Sequence, residues 1–102
     1  MRYFLFALGL LGLLASAHAQ STAILEGNVR VAGTATPLQG AHVILEELAQ
    51  GTTTDAEGRF QLANLPAGTY TLTVRFLGFV PYRQAILLQA GVTTQLTIIL
   101  EE

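Results

Sequence analysis

From Thr69 to Phe76 the chain alternates without interruption, with Tyr70, Leu72, Val74 and Phe76 on one parity and Thr69, Thr71, Thr73 and Arg75 on the other. Period-two patterning of this kind specifies a β-strand with one buried and one solvated face. It excludes a helix, whose apolar residues recur at three- and four-residue spacing. The punctuation before it has the same meaning. Asp55 can accept hydrogen bonds from backbone N–H groups ahead of it, and Gly58 can take the positive φ that closes a short hairpin. Leu65-Pro66-Ala67-Gly68 reads as the corner between two further strands.

The alternation extends over most of the chain. Ala23, Leu25, Val29 and Val31 share one parity against Glu26, Asn28 and Arg30, a first strand broken at Gly27, where a bulge or a close approach is expected. After a polar loop at 32–39, Ala41, Val43 and Leu45 alternate with His42, Ile44 and Glu46 as a second strand, in which Ile44 breaks the polarity. Short strands follow at 51–54 and at 59–62, with Phe60 and Leu62 inward, and the long alternating strand runs over 69–77. Residues 79–88 read as a sixth strand with an irregular start, since Pro81 cannot donate to a ladder. The seventh places Val92, Thr94, Leu96, Ile98 and Leu100 inward against Thr93, Gln95, Thr97 and Glu101. Seven strands with frequent turns predict an all-β fold, a seven-stranded antiparallel β-sandwich, transthyretin-like or Ig-like.

Residues 1–19 read as a cleaved signal peptide rather than as part of that fold. Arg2 supplies the positive start, Tyr3 to Leu14 the apolar core, and Ala17-His18-Ala19 the small-residue cleavage site, so the mature domain is expected to span residues 20–102. The apolar stretch is shorter than the ~20 residues of a spanning helix, and no transmembrane segment is expected in the mature chain. The absence of Cys excludes disulfides, thiolate metal sites and a lipid-modified cysteine. Export to the periplasm, association with the outer membrane, or secretion follows as the expected location. Arg30, Arg59, Arg75 and Arg83 stand singly among seven acidic residues, so the basic stripe of a nucleic-acid binder is missing.

The side chains with chemical potential have structural readings beside their functional ones. A zinc site needs several ligands, and residues 20–102 offer one His, His42, with Glu46 nearby. A Ser-His-Asp triad would have to use Ser21, His42 and Asp55, with Ser21 in a frayed terminus. Asp55-Ala-Glu57-Gly58 has the start of a calcium loop without its later oxygen ligands, and fits a turn better. Phe76, Phe79 and Tyr82 could form a platform for a sugar ring or a partner, though Phe76 has core parity. Glu46 and Glu47 read as guards of a strand edge. The expectation is therefore no catalytic residues, no cofactor and no metal.

The order Gly27-x-Val29, Pro37-Leu-x-Gly-Ala-x-Val43-x-Leu45, Gly51-Thr-x-Thr-Asp55-x-x-Gly58-x-Phe60-x-Leu62-x-x-Leu65-Pro66-x-Gly68-x-Tyr70-x-Leu72-x-Val74 and Phe76-x-Gly78-Phe79 resembles the carboxypeptidase regulatory-like domain family. The resemblance covers residues 25–100. It implies a transthyretin-like sandwich without catalytic activity of its own, in either of two settings. One is the accessory domain behind the catalytic domain of zinc carboxypeptidases. The other is the N-terminal extension of TonB-dependent outer-membrane receptors, which follows the signal peptide directly, as here. The second setting implies envelope proteins as partners, with outer-membrane receptor or transport components foremost. A small carbohydrate-binding module and an accessory folding domain of a peptidase are the alternatives.

Overall fold

The structure, a computed structural model, describes residues 21–102; the expected signal peptide and its cleavage site lie outside the described residues. Seven strands follow in order: β1 Ala23–Val31, β2 His42–Leu45, β3 Gln50–Thr53, β4 Arg59–Leu65, β5 Gly68–Arg75, β6 Tyr82–Leu88 and β7 Thr93–Leu100. A 3-10 turn at Glu46–Leu48 links β2 to β3. The strands form a three-stranded sheet, β4-β1-β7, packed on a four-stranded sheet, β3-β2-β5-β6. The all-β sandwich expected from the alternation is the observed architecture.

One pair departs from an all-antiparallel arrangement. β1 and β7 run parallel, from Ile24 opposite Thr93 to Val31 opposite Leu100. A parallel pair cannot be joined by a hairpin and needs a crossover. Here the intervening five strands are the crossover, a topology that no local pattern encodes.

The core lies between the sheets, and every strand but the short β3 contributes buried residues to it. Leu25, Val29, Val43, Leu45, Leu65, Leu72, Val74, Leu88, Ile98 and Leu100 are fully buried, with Phe60, Leu62, Tyr70 and Ile86 nearly so. Each buried aliphatic side chain contributes about 1.5–3 kcal/mol relative to exposure, which is what a domain without staples depends on. The Tyr70 hydroxyl, which would otherwise be a buried liability, donates to the Pro66 carbonyl at 2.7 Å.

Several local expectations are corrected. β4 continues three residues beyond Leu62, because the β1 partners jump from Leu62 (opposite Leu25) to Leu65 (opposite Ala23). The extra residue is absorbed by a bulge with Asn64 at φ 58°, so Leu62 and Leu65 both face inward despite their odd spacing. At Gly27 the close approach is realised rather than the bulge: a Cβ there would lie 2.3 Å from the Leu96 carbonyl oxygen and 2.8 Å from the Phe60 ring. Val92, expected inward, is 42% exposed. Its N–H bonds the Gln89 carbonyl at 3.1 Å, which places it in the turn before β7. Thr54, expected at the end of β3, lies just beyond it and is buried; its hydroxyl accepts from Ala41 N–H at 2.9 Å and donates to the Leu38 carbonyl, tying the loop before β2 to the exit of β3.

Candidate functional site

The turn from β3 to β4 does not close the hairpin expected, because the two strands lie in different sheets; it is a corner that carries the chain from one sheet to the other, and its local turn is built as its residues require. Asp55 Oδ1 accepts from the Glu57 and Arg59 N–H groups, each at 2.9 Å, and Gly58 takes φ 75°. Both backbone groups of Asp55 are paired as well, its N–H with the Arg59 carbonyl and its carbonyl with Gly58 N–H, each at 2.9 Å. This carboxylate is a turn organiser. The Arg59 N–H, foremost among its partners, holds its pKa below the usual carboxylate range. Ser21 sits exposed ahead of β1, and His42 opens β2 on its outer face, opposite Arg75 and Thr53. Among the described residues no group of three His, Cys, Asp or Glu is placed to hold a metal.

On the outer face of the four-stranded sheet the two glutamates of the 3-10 turn reach across β5. β2 stops at Leu45, opposite Leu72, so the next β5 residue has no strand beside it on that side. Glu47 substitutes for the missing strand: its carboxylate takes the Thr71 N–H at 2.7 Å and the Thr71 hydroxyl at 2.8 Å. Glu46 takes the Thr73 hydroxyl at 2.8 Å and the Arg83 guanidinium at 2.9 Å. Thr73, expected in solvent, is consequently buried. The sequence reading of an edge guard thus has a specific form, a carboxylate occupying an orphan backbone donor in β5.

These contacts depress the pKa of both groups, Glu46 mainly through the Thr73 hydroxyl and then Arg83, Glu47 mainly through the Thr71 N–H and then its hydroxyl. A depressed folded value stabilises the fold above the unfolded pKa, and that contribution is lost as pH falls through the folded value. With unfolded carboxylates titrating near ~4, the melting temperature is expected to be level between neutral pH and about 5 and to drop below about 4. Thermal melts across that range check it; a melting temperature that rises on acidification contradicts it. The exposure of all three carboxylates keeps the effect modest and salt-sensitive.

The outer face of the three-stranded sheet carries a second polar network. Glu26, in the middle of β1, accepts from Gln61 Nε2 of β4 at 3.0 Å and from Gln95 Nε2 of β7 at 3.2 Å. The three residues stand in one cross-strand row. Arg30 donates through Nε to Asn28 Oδ1 and through its guanidinium to the Ala35 carbonyl, both at 3.0 Å. With Arg59 these side chains line a broad open groove of about 480 Å³. Sequence reading placed the β1 residues on the solvent side but missed the network, since only the register brings residues 26, 61 and 95 together.

Phe76, Phe79 and Tyr82 do not assemble as a flat platform. Phe76 and Phe79 meet edge to face, ring centres 5.6 Å apart, and both pack against the core together with Tyr82. The Tyr82 hydroxyl bonds Gln84. What the loop between β5 and β6 exposes is aliphatic, with Leu77 96% and Val80 57% accessible.

A three-on-four sandwich, with β1 and β7 parallel at its centre and edge, defines the class: a transthyretin-like module whose turns and carboxylates organise the fold. The chain belongs to the carboxypeptidase regulatory-like domain family, whose model matches residues 24–101. Among solved structures it is similar to a type II cohesin–X-dockerin complex of Acetivibrio cellulolyticus (TM-score 0.65, 20% identity, 76% of this chain and 56% of that one). It is also similar to the minor pilin of Streptococcus agalactiae (TM-score 0.67, 19% identity, 81% and 45%). A third likeness is to the 5-hydroxyisourate hydrolase of Klebsiella pneumoniae (TM-score 0.59, 22% identity, 78% and 90%). These likenesses show the fold, and the chain spans little more than half of the first. No curated protein matches the sequence.

Proposed function

We propose that this chain is a non-catalytic interaction module of the cell envelope, exported by the leader at residues 1–19 and acting through surface contact. One observation carries the reading: four carboxylates of the described residues, Glu26, Glu46, Glu47 and Asp55, are taken up by the fold itself. Glu46 and Glu47 brace β5, Asp55 organises the turn between the sheets and Glu26 ties three strands together. Acid–base or nucleophilic chemistry needs such a group free and poised near a partner. What remains available is surface and sheet edge, where an extended segment can add by main-chain pairing. The receptor-like order of leader then domain supports envelope proteins, including outer-membrane receptor or transport components, as the partners. A second reading, a carbohydrate-binding module, draws on the groove around Glu26, whose amides, carboxylate and guanidinium groups offer donors and acceptors to a polyol. The accessory folding domain of a peptidase is the third.

The test is crosslinking of the tagged chain in its native compartment. Recovery of envelope proteins above an unrelated sandwich control is expected. If the control recovers as much, while oligosaccharides raise the melting temperature with concentration, the carbohydrate reading replaces this one.

A further inference from the structure

Four strands lie at sheet edges: β3, β4, β6 and β7. β3 has only four residues, β4 carries Arg59 and an internal bulge, and β6 carries Arg83. β7, Thr-Thr-Gln-Leu-Thr-Ile-Ile-Leu, is eight residues long with no charge, no Pro and no bulge against its neighbour. Natural edges are normally blunted by one of those devices. Among the described residues this one is left open.

The backbone shows which groups it offers. The carbonyls of Val92 and Leu100 point to β1, bonding the N–H groups of Ile24 and Ala32 at 3.2 and 2.9 Å. Backbone groups along a strand alternate in direction, so even-numbered residues of β7 serve β1 and odd-numbered ones face outward. The Glu101 carbonyl agrees, since it turns away from β1 and accepts from Val80 N–H at 2.6 Å. Thr93, Gln95, Thr97 and Ile99 therefore present their N–H and C=O groups on the free edge. Beyond that edge the sandwich is uneven. At the opposite side β3 approaches β4, while the three-stranded sheet falls one strand short of the four-stranded sheet. Gln84, on the inner parity of β6 beside buried Leu72, is exposed there, and Tyr82 and Leu96 are half-covered.

We propose that the occupant of this edge is the β7 strand of a second copy, pairing antiparallel about a two-fold axis. Residues with outward backbone groups must meet one another, and the register centred on Gln95 does this. It sets Thr93 opposite Thr97 of the other copy and Gln95 opposite itself, with no like charges facing. Its Thr93–Thr97 pairs end before Glu101, the residue to which the Val80 segment is bonded. Cross-strand threonine pairs and uncharged polar pairs stabilise such a junction, and the added strand lies over the uncovered part of β6. The two sheets become one of six strands. The proposal rests on the reading of the chain as a contact module, yet it fails separately: a monomer that still crosslinks to envelope proteins overturns self-pairing alone.

Sedimentation equilibrium of the chain as its host processes it, over a micromolar to millimolar range, is the experiment. A concentration-dependent rise to twice the chain mass is expected. Thr97→Pro removes an outward donor without touching the β1 ladder and should weaken the dimer at least ~10-fold. Gln95→Glu sets two carboxylates face to face, with Glu26 of each copy adding to the repulsion, and should do the same, with the melting temperature of the dilute monomer showing that the fold is kept. A monomer at every concentration, or a dimer indifferent to Gln95→Glu in a folded variant, overturns the proposal.

Discussion

A Gly27→Val variant is expected to lose about 3–5 kcal/mol of stability, enough to leave a domain of this size close to unfolded at room temperature. The reason is crowding on both sides of the central strand. A Cβ at residue 27 would stand 2.3 Å from a backbone oxygen of β7 and 2.8 Å from the Phe60 ring of β4. The ring could turn away only by leaving the core, and the Leu96 carbonyl belongs to the ladder that joins β7 to the sheet. Gly33→Ala is the matched control. Gly33 has φ 86° but no neighbour within 4 Å of where its Cβ would stand, so only the left-handed backbone penalty of ~1–2 kcal/mol applies. Urea midpoints of the two variants measure the difference, and a Gly27→Val midpoint at or above that of Gly33→Ala would refute the close-approach account.

Gly58→Val should cost about 3 kcal/mol or more, because two effects coincide. At φ 75° the residue is in the left-handed region, and its Cβ would meet the Val29 carbonyl oxygen at 2.7 Å and Pro37 Cβ at 3.0 Å. Backbone strain alone, which is all the sequence could suggest, accounts for the smaller part. Glu57→Ala in the same turn should fall within about 0.5 kcal/mol of the parent, as exposed substitutions do. Equal denaturation midpoints for Gly58→Val and the parent would show that the turn is not organised this way.

The strands were legible because each carries its own period. Tyr70, Leu72 and Val74 announce β5 without help from the rest of the chain, and Asp55 and Gly58 announce the turn before β4 through local hydrogen bonding and φ. What could not be read required two distant segments at once. The parallel pairing of β1 with β7 depends on register between residues 24 and 93, and the Gln61–Glu26–Gln95 row depends on three strands. The burial of Thr73 depends on a glutamate 27 positions earlier in the chain. The bulge at Asn64 was hidden for a different reason: it replaces period two with a three-residue step, so Leu65 looked like part of a corner rather than the end of β4.

The parallel seam between β1 and β7 also sets the order of events in making the molecule. The first strand of the domain sits between β4 and the last strand, so its sheet is incomplete until nearly the whole chain is present. Pairing such remote segments requires closing a very long loop before any contact rewards it, which makes folding slow relative to a fold of local hairpins. A chain emerging N-terminus first can assemble β2, β3, β5 and β6 while β1 waits with one flank unpaired. Until Leu96 arrives to lie over Gly27, the three-stranded sheet lacks its third strand and one side of the sandwich is unfinished.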